Sequence, residues 1–233
     1  MNSRRFPLAE GASFDPSTTT RRFTVAATDG IGVVFLPALL ALFRARMPRA
    51  QLRSVTLDYV ISAGGLEQAN VDLLVGIPPV VPAGCEAEAL FEEPMMAIAR
   101  EGYPLIGRRL TLATYARLAH AELALFGEPD DRIDRALASH GARRIVTVTT
   151  PHISGLPFLV AQSDLVATVM ASVAHAFAAP LQLRVLKPPV ALPGLALVQL
   201  WHRRSSDDPG HTLLRELVRI AARRVSRPAR ARA

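Results

Sequence analysis

The sequence predicts an α/β fold of two Rossmann-like lobes joined by two crossing strands, and three observations carry that prediction. Short β-branched or apolar runs alternate with stretches of helical apolar spacing, first over 22–75 and again over 111–169. A long extended segment, 85–100, parts the two series, and a strong strand, 195–201, returns after the second. The chain has 233 residues, half of them hydrophobic, which is enough to bury a sizeable core in one compact domain or two small lobes.

Taken in order, 1–21 is polar, contains Pro and a Ser/Thr run, lacks periodicity, and reads as a linker. Residues 23–27 are a buried strand, and Thr28-Asp29-Gly30 is turn chemistry with an N-cap candidate. From Ile31, apolar residues recur at helical spacing up to Met47. Arg44 and Arg46 suit the negative end of the helix dipole, and Pro48 stops the helix. Residues 51–57 form a second strand, 61–69 a short helix and 71–75 a third strand. This is a strand–helix–strand–helix–strand unit with parallel pairing and right-handed crossovers. In the extended stretch 85–100 the break is Glu92-Glu93-Pro94. The second series reads helix 111–118 with Thr111 as cap, strand 122–126, helix 130–140 ending at Gly141, strand 144–149, helix 151–162 and strand 165–169. A short segment 183–186 and a Pro-rich passage precede strand 195–201, and an amphipathic helix, 211–224, closes the chain. The lobes are expected at 22–98 plus 200–226 and at 99–199, with a basic tail at 227–233.

Composition removes several function classes. No uninterrupted apolar run reaches the roughly 18 residues needed to span a bilayer, so no membrane role is expected. Ser3-Arg4-Arg5-Phe6-Pro7-Leu8 looks like a twin-arginine export signal, but Glu10, Asp15 and hydroxyl residues follow instead of an apolar segment, and a cytoplasmic protein is expected. Cys85 is the single cysteine. The net charge of +7 suggests nucleic acid until it is located. From Arg203 onward nine arginines face three acidic residues, so six of the positive charges sit in the terminal segment and the body is nearly neutral. There is no G-x-S-x-G elbow, no phosphate-cradling glycine loop, no C-x-x-C and no compact His spacing, so no catalytic residues, metal or cofactor are expected.

Several motifs then fall in a telling order: Arg22-Phe23-Thr24-Val25-Ala26-Ala27-Thr28-Asp29 with Leu36-Pro37, and Leu66-Glu67-Gln68-Ala69-Asn70-Val71-Asp72-Leu73. After them come Pro94-Met95-Met96-Ala97-Ile98-Ala99-Arg100 running to Tyr103-Pro104-Leu105, then Leu110-Thr111-Leu112-Ala113-Thr114-Tyr115. Ser163-Asp164-Leu165-Val166-Ala167-Thr168 and Trp201-His202-Arg203-Arg204 with Asp208-Pro209 complete the set. Together they resemble the effector-binding domain of LysR-type transcriptional regulators from about residue 9 to 224, and the terminal motifs look most like the branch that senses aromatic and flavonoid inducers. The resemblance implies a type 2 periplasmic-binding-protein fold, a small aromatic or carboxylated effector between the lobes, and a homodimer or tetramer formed through the lobes. DNA would be reached only through a helix-turn-helix domain, which does not precede the matching region here. Ala69 stands where the family usually has Gly, Tyr103 where His is common, and Met170 where Pro is common. A transport-type solute-binding protein of the same fold is the alternative, and an export signal would distinguish it.

The candidate effector-binding residues are Thr28, Asp29, Gly30, Ile31, Ile77, Phe126, Thr150, His152, Thr168 and His202. Free N–H groups at the first helix's start favour an anion by roughly 0.3–1 kcal/mol, although the Asp29 carboxylate there is itself repulsive and reads more simply as a cap. His152 could donate across the cleft or be structural, and the two readings weigh equally. Trp201-His202 reads first as hinge packing. The first and last helices, both with broad apolar stripes, are the expected dimer surfaces.

Overall fold

The computed structural model describes residues 14–57, 60, 65, 66, 70–78, 80–125, 128, 129 and 131–226. The expected helix 61–69, the tail 227–233 and the candidate Phe126 lie outside these, wholly or for the most part. The first lobe opens with β1 (Arg22–Ala27) and α1 (Asp29–Arg46). β2 (Gln51–Val55) and β3 (Leu73–Gly76) flank β1 in parallel, as the strand–helix alternation predicts. β4 (Cys85–Glu93) completes the lobe's early strands, and β5 (Met95–Arg100) begins the second lobe. There follow α2 (Leu112–Arg117), β6 (Ala119–Leu125), the two-residue β7 (Glu128–Pro129) and α3 (Arg132–Ala138). β8 (Ile145–Thr150), a 3₁₀ turn (Ile153–Gly155), α4 (Leu156–Ala161), β9 (Leu165–Met170), α5 (Ala171–Ala178) and β10 (Leu183–Leu186) complete this lobe. β11 (Leu195–His202), a 3₁₀ turn (Arg203–Ser205) and α6 (Pro209–Ser226) return to the first.

The sheets run β2-β1-β3-β11-β4 and β10-β5-β9-β6-β7, with β8 parallel beside β6. The chain crosses from one to the other at Pro94 and again along 187–194. Residues 95–98 therefore belong to the second lobe and 195–199 to the first, which moves both expected boundaries. The cause lies in pairing: β11 follows β4 along its whole length, from Leu195 opposite Glu93 to His202 opposite Cys85. Pro94, which has no N–H to give a ladder, marks the change of sheet.

Local signals account for most element ends. Thr111 Oγ1 accepts from the Thr114 N–H at 3.2 Å and caps α2 as expected. Gly141, at φ +68°, ends α3, with the Ala142 N–H returning to the Leu137 carbonyl at 3.0 Å. α5 is a helix where no element is expected from the sequence.

Two expectations change in the first lobe. Residues 14–21 are docked rather than free: Arg21 bridges Asp208 at 2.7 Å and Asp72 at 3.2 Å, and its guanidinium lies over the Phe23 ring. The apolar stripe of α6, including Leu213, Leu214, Leu217 and Val218, is buried within the chain, where α6 packs on α1 and β4. Each such side chain contributes about 1.5–3 kcal/mol when fully buried. That face of α6 is therefore not a free dimer surface. Two of the terminal arginines also have internal work: Arg215 lies over the Trp201 ring at 4.5 Å, and Arg219 grips Glu88 at 2.7 and 3.0 Å.

Candidate functional site

Between the lobes lies a cavity of about 130 Å³. Thr28, Ile31 and Ile77 wall it from the first lobe; Ala121, Ile133, Thr168 and Met170 wall it from the second. Met95 and Leu195, the first residues after the two crossings, line the hinge side. The lining is mostly apolar. The strand ends dictate this arrangement, because β1, β3, β6 and β9 all direct their carboxyl ends toward the gap, where open α/β sheets form ligand sites.

A charged cluster forms the polar side of the wall. The Arg144 side chain is 1 % exposed and donates to the Glu122 carboxylate, which is also buried. The same guanidinium reaches Asp134 through Nε at 2.9 Å and Nη2 at 2.8 Å. The two carboxylates raise the affinity of this guanidinium for its proton and outweigh its burial, so Arg144 stays charged. Next to the cluster, Tyr115 Oη and Thr168 Oγ1 share a hydrogen bond of 2.7 Å. Burial pushes the Tyr115 phenol upward. His120 packs against the Tyr115 ring at 4.4 Å between centroids, and its Nε2 donates to the Tyr115 carbonyl at 2.8 Å. Burial holds the His120 imidazole down at about 4.

The lobes are tied to each other beside the cavity. Asp29, in the first turn of α1, does not cap its own helix; its carboxylate accepts from the Ile153 N–H at 3.2 Å, the Ser154 N–H at 2.9 Å and the Ser154 hydroxyl at 2.5 Å. It thus satisfies donors at the start of the second lobe's 3₁₀ turn. Gly30 permits the approach, since a Cβ there would overlap Ile153 Cγ2, a branched stub that cannot swing aside. At the hinge, Glu93 accepts from the Ser172 N–H at 2.8 Å, and the Ala171 N–H donates to the Pro94 carbonyl at 2.8 Å.

Of the residues expected at the site, Thr28, Ile31, Ile77 and Thr168 line the cavity, while Asp29 and Gly30 join the lobes at its edge. Three expectations are corrected. His152 is exposed, because the turn after β8 sends the next residue, Ile153, inward instead. Thr150 accepts from the His152 N–H at 3.2 Å and serves that turn. His202 Nδ1 accepts from the Arg204 N–H at 3.2 Å, and its ring packs at Gly84, far along β11 from the cavity end. Glu122, Arg132, Arg144 and Met170 were missed. One signal was available for Glu122, a lone acid inside the apolar run Ala121 to Leu125. Among the described residues no cluster of His, Cys, Asp or Glu could hold a metal ion, and no helix is long and apolar enough to cross a membrane.

The comparison with known families decides between the readings: residues 16–223 match the LysR substrate binding domain. The chain belongs to this family. It is 28% identical over 218 residues to the HTH-type transcriptional activator NahR of Pseudomonas putida, covering 94% of this chain and 73% of that protein. To the HTH-type transcriptional regulator LinR of Sphingobium indicum it is 32% identical, over 92% of this chain and 71% of that one. The regulatory domain of MexT, a transcriptional activator in Pseudomonas aeruginosa, superposes with a TM-score of 0.77 at 25% identity, over 88% of this chain and all of that domain. A member of this family is a ligand-sensing domain of a LysR-type regulator and not an enzyme, and its two mixed sheets are the type 2 periplasmic-binding-protein arrangement.

Proposed function

We propose that the interlobe cavity is the effector site and that its occupancy sets the interlobe geometry, which is the signal passed to transcription. The observation that carries this reading is the position of the cavity, walled by both lobes and by the first residue after each crossing, so that a ligand there touches every part that closure moves. To act as a switch the effector must favour one interlobe arrangement, and coupling of about 1–3 kcal/mol is typical. The regulatory lobes and a working location in the cytoplasm belong to the same proposal. Reading of operator DNA is assigned to neither lobe.

A titration series tests it. A panel of single-ring aromatic compounds, followed by calorimetry and small-angle scattering, should yield a saturable one-to-one binder that compacts the chain. Ile77→Phe, which fills the cavity from a half-buried position, should weaken that binder at least tenfold. A panel with no binder, or binding indifferent to Ile77→Phe, defeats the proposal.

The regulator pairs with a second copy in this reading, through α1 of one protomer and α4 and α5 of the other. Val33 and Leu40 stand 47% and 43% exposed, two helical turns apart on α1, and Phe158 and Leu159 stand 47% and 39% exposed on α4. An apolar stripe of this kind on each lobe suits a twofold pair in which each meets the other. Leu40→Asp should shift the protein to monomer in sedimentation equilibrium at micromolar concentration, with folding intact by circular dichroism. An unchanged association constant counts against the pairing.

A further inference from the structure

We infer that His211 is a proton-operated latch: with its ring neutral it holds residues 14–21 on the first lobe, and with its ring doubly protonated it lets them go. Both ring nitrogens are committed. Nε2 donates to the Asp72 carbonyl at 2.8 Å, and Nδ1 accepts from Arg215 Nη1 at 3.1 Å. A carbonyl only accepts and a guanidinium only donates, so these partners require the neutral ring with its proton on Nε2.

A second proton would sit on Nδ1, aimed at the Arg215 guanidinium, and neither side chain can turn away from the other. His211 is fully buried, so water cannot come between two facing cations. Arg215 also donates to the Ser205 and Ser206 carbonyls at 3.3 and 2.8 Å and to the Thr212 hydroxyl at 3.0 Å, with the Trp201 ring beneath it. Around the ring, Asp72 before β3 and Asp208 before α6 favour the added proton, Arg215 on α6 opposes it, and Trp201 of β11 is neutral. Glu86 and Glu88 of β4, Asp207 and Arg219 act in turn on Arg215. Burial outweighs the two carboxylates and holds the imidazole below its ordinary value of about 6.5.

The residues that His211 grips are the ones that grip Arg21. Arg21 donates to the Asp72 and Asp208 carboxylates at 3.2 and 2.7 Å. The His211 ring is bonded to Asp72, and its main-chain N–H donates to the same Asp208 oxygen at 2.6 Å. Gly210, in the same turn, lies so close to Phe14 that a Cβ there would come within 2.9 Å of its ring. Repulsion between His211 and Arg215 is therefore relieved by displacing the first turn of α6, which takes Asp208 from Arg21 and Gly210 from Phe14. Asp208 stays ionised meanwhile: its partial burial is outweighed by the bonds from the His211 N–H and Arg21, which keep its carboxyl below the usual range. The latch is whole above about pH 6.5 and opens as pH falls through the lower value of the folded ring.

Urea unfolding of the whole chain at pH 7 and pH 5 tests this. Arg21→Ala should raise the unfolding constant about fivefold at pH 7, the upper end for partly exposed ion pairs, and less than about twofold at pH 5. In a His211→Gln background, which has no ring to ionise, the factor should be the same at both pH values. His120 takes up its proton in both Arg21 forms and cancels from the comparison. Proton NMR of the unmutated chain gives a second reading, in which the Phe14 ring signals move to their solvent-exposed positions with the midpoint of the His211 imidazole. An Arg21→Ala factor equal at the two pH values overturns the inference, and so does one that also falls in the His211→Gln background. Phe14 signals that stay in place while His211 titrates overturn it too, as does an imidazole that remains neutral until the chain unfolds.

Discussion

Arg144→Met should cost about 3–5 kcal/mol of folding stability, the usual penalty for breaking one side of a buried ion pair. The Arg144 side chain is 1 % exposed and Glu122 6 %, so water cannot replace the guanidinium once it is gone. Asp134, half exposed, suffers less. At about 2–4 °C per kcal/mol for a chain of this size, the melting temperature should fall by roughly 10 °C. Replacing the pair together tells the rest. Arg144→Met with Glu122→Leu exchanges two buried charges for apolar groups of similar bulk and should recover most of the loss, since such exchanges are often neutral. Urea unfolding of the two variants measures both quantities. A single variant within 1 kcal/mol of the unchanged protein would mean that the cluster contributes little.

Stability should also fall on mild acidification, chiefly through His120. Unfolded, this imidazole takes a proton near 6.5; folded, burial holds it at about 4. Between those values the unfolded state binds more protons, so the stabilisation is complete above pH 6.5 and drains away as pH falls toward 4. A shift of this size corresponds to roughly 3 kcal/mol in full, and to about 2 kcal/mol between pH 7 and pH 5. The structural cause is visible: Nε2 already gives its proton to the Tyr115 carbonyl, and the buried Nδ1 has no acceptor to meet a second one. His211, lowered mainly by burial, works in the same direction. Glu93, raised by burial, opposes them because it gains its proton more readily in the folded state. His120→Gln keeps a donor for the carbonyl and cannot ionise. Its urea midpoint should therefore be flatter across pH 5–7 than that of the unchanged protein. Parallel profiles would show that His120 carries none of the slope.

How much of this was legible beforehand depends on how far apart in the chain the partners lie. The Thr111 cap, the Gly141 stop and the parallel start of the first lobe are local signals and read directly. Thr28, Ile31 and Ile77 follow from strand ends, which is why they lie on the cavity wall. The destination of Asp29, 124 and 125 residues away, has no local sign, so it read as an ordinary cap. His152 was favoured for its chemistry, whereas a one-residue turn geometry delivered Ile153 to the cavity. α5 escaped notice because Met170-Ala171-Ser172-Val173-Ala174 continues the apolar run of β9, and neither a side-chain cap nor a polar break marks the change of period. The Glu122–Arg144 pairing is tertiary, formed between β6 and the residue just before its parallel neighbour β8, and nothing in the order of residues announces it.

The Asp29 tie to Ser154 also bears on what an effector has to do. Three donors of the second lobe are satisfied by a carboxylate of the first. An effector that resets the angle between the lobes must therefore work against these three bonds, and the tie sets a threshold that its binding has to exceed.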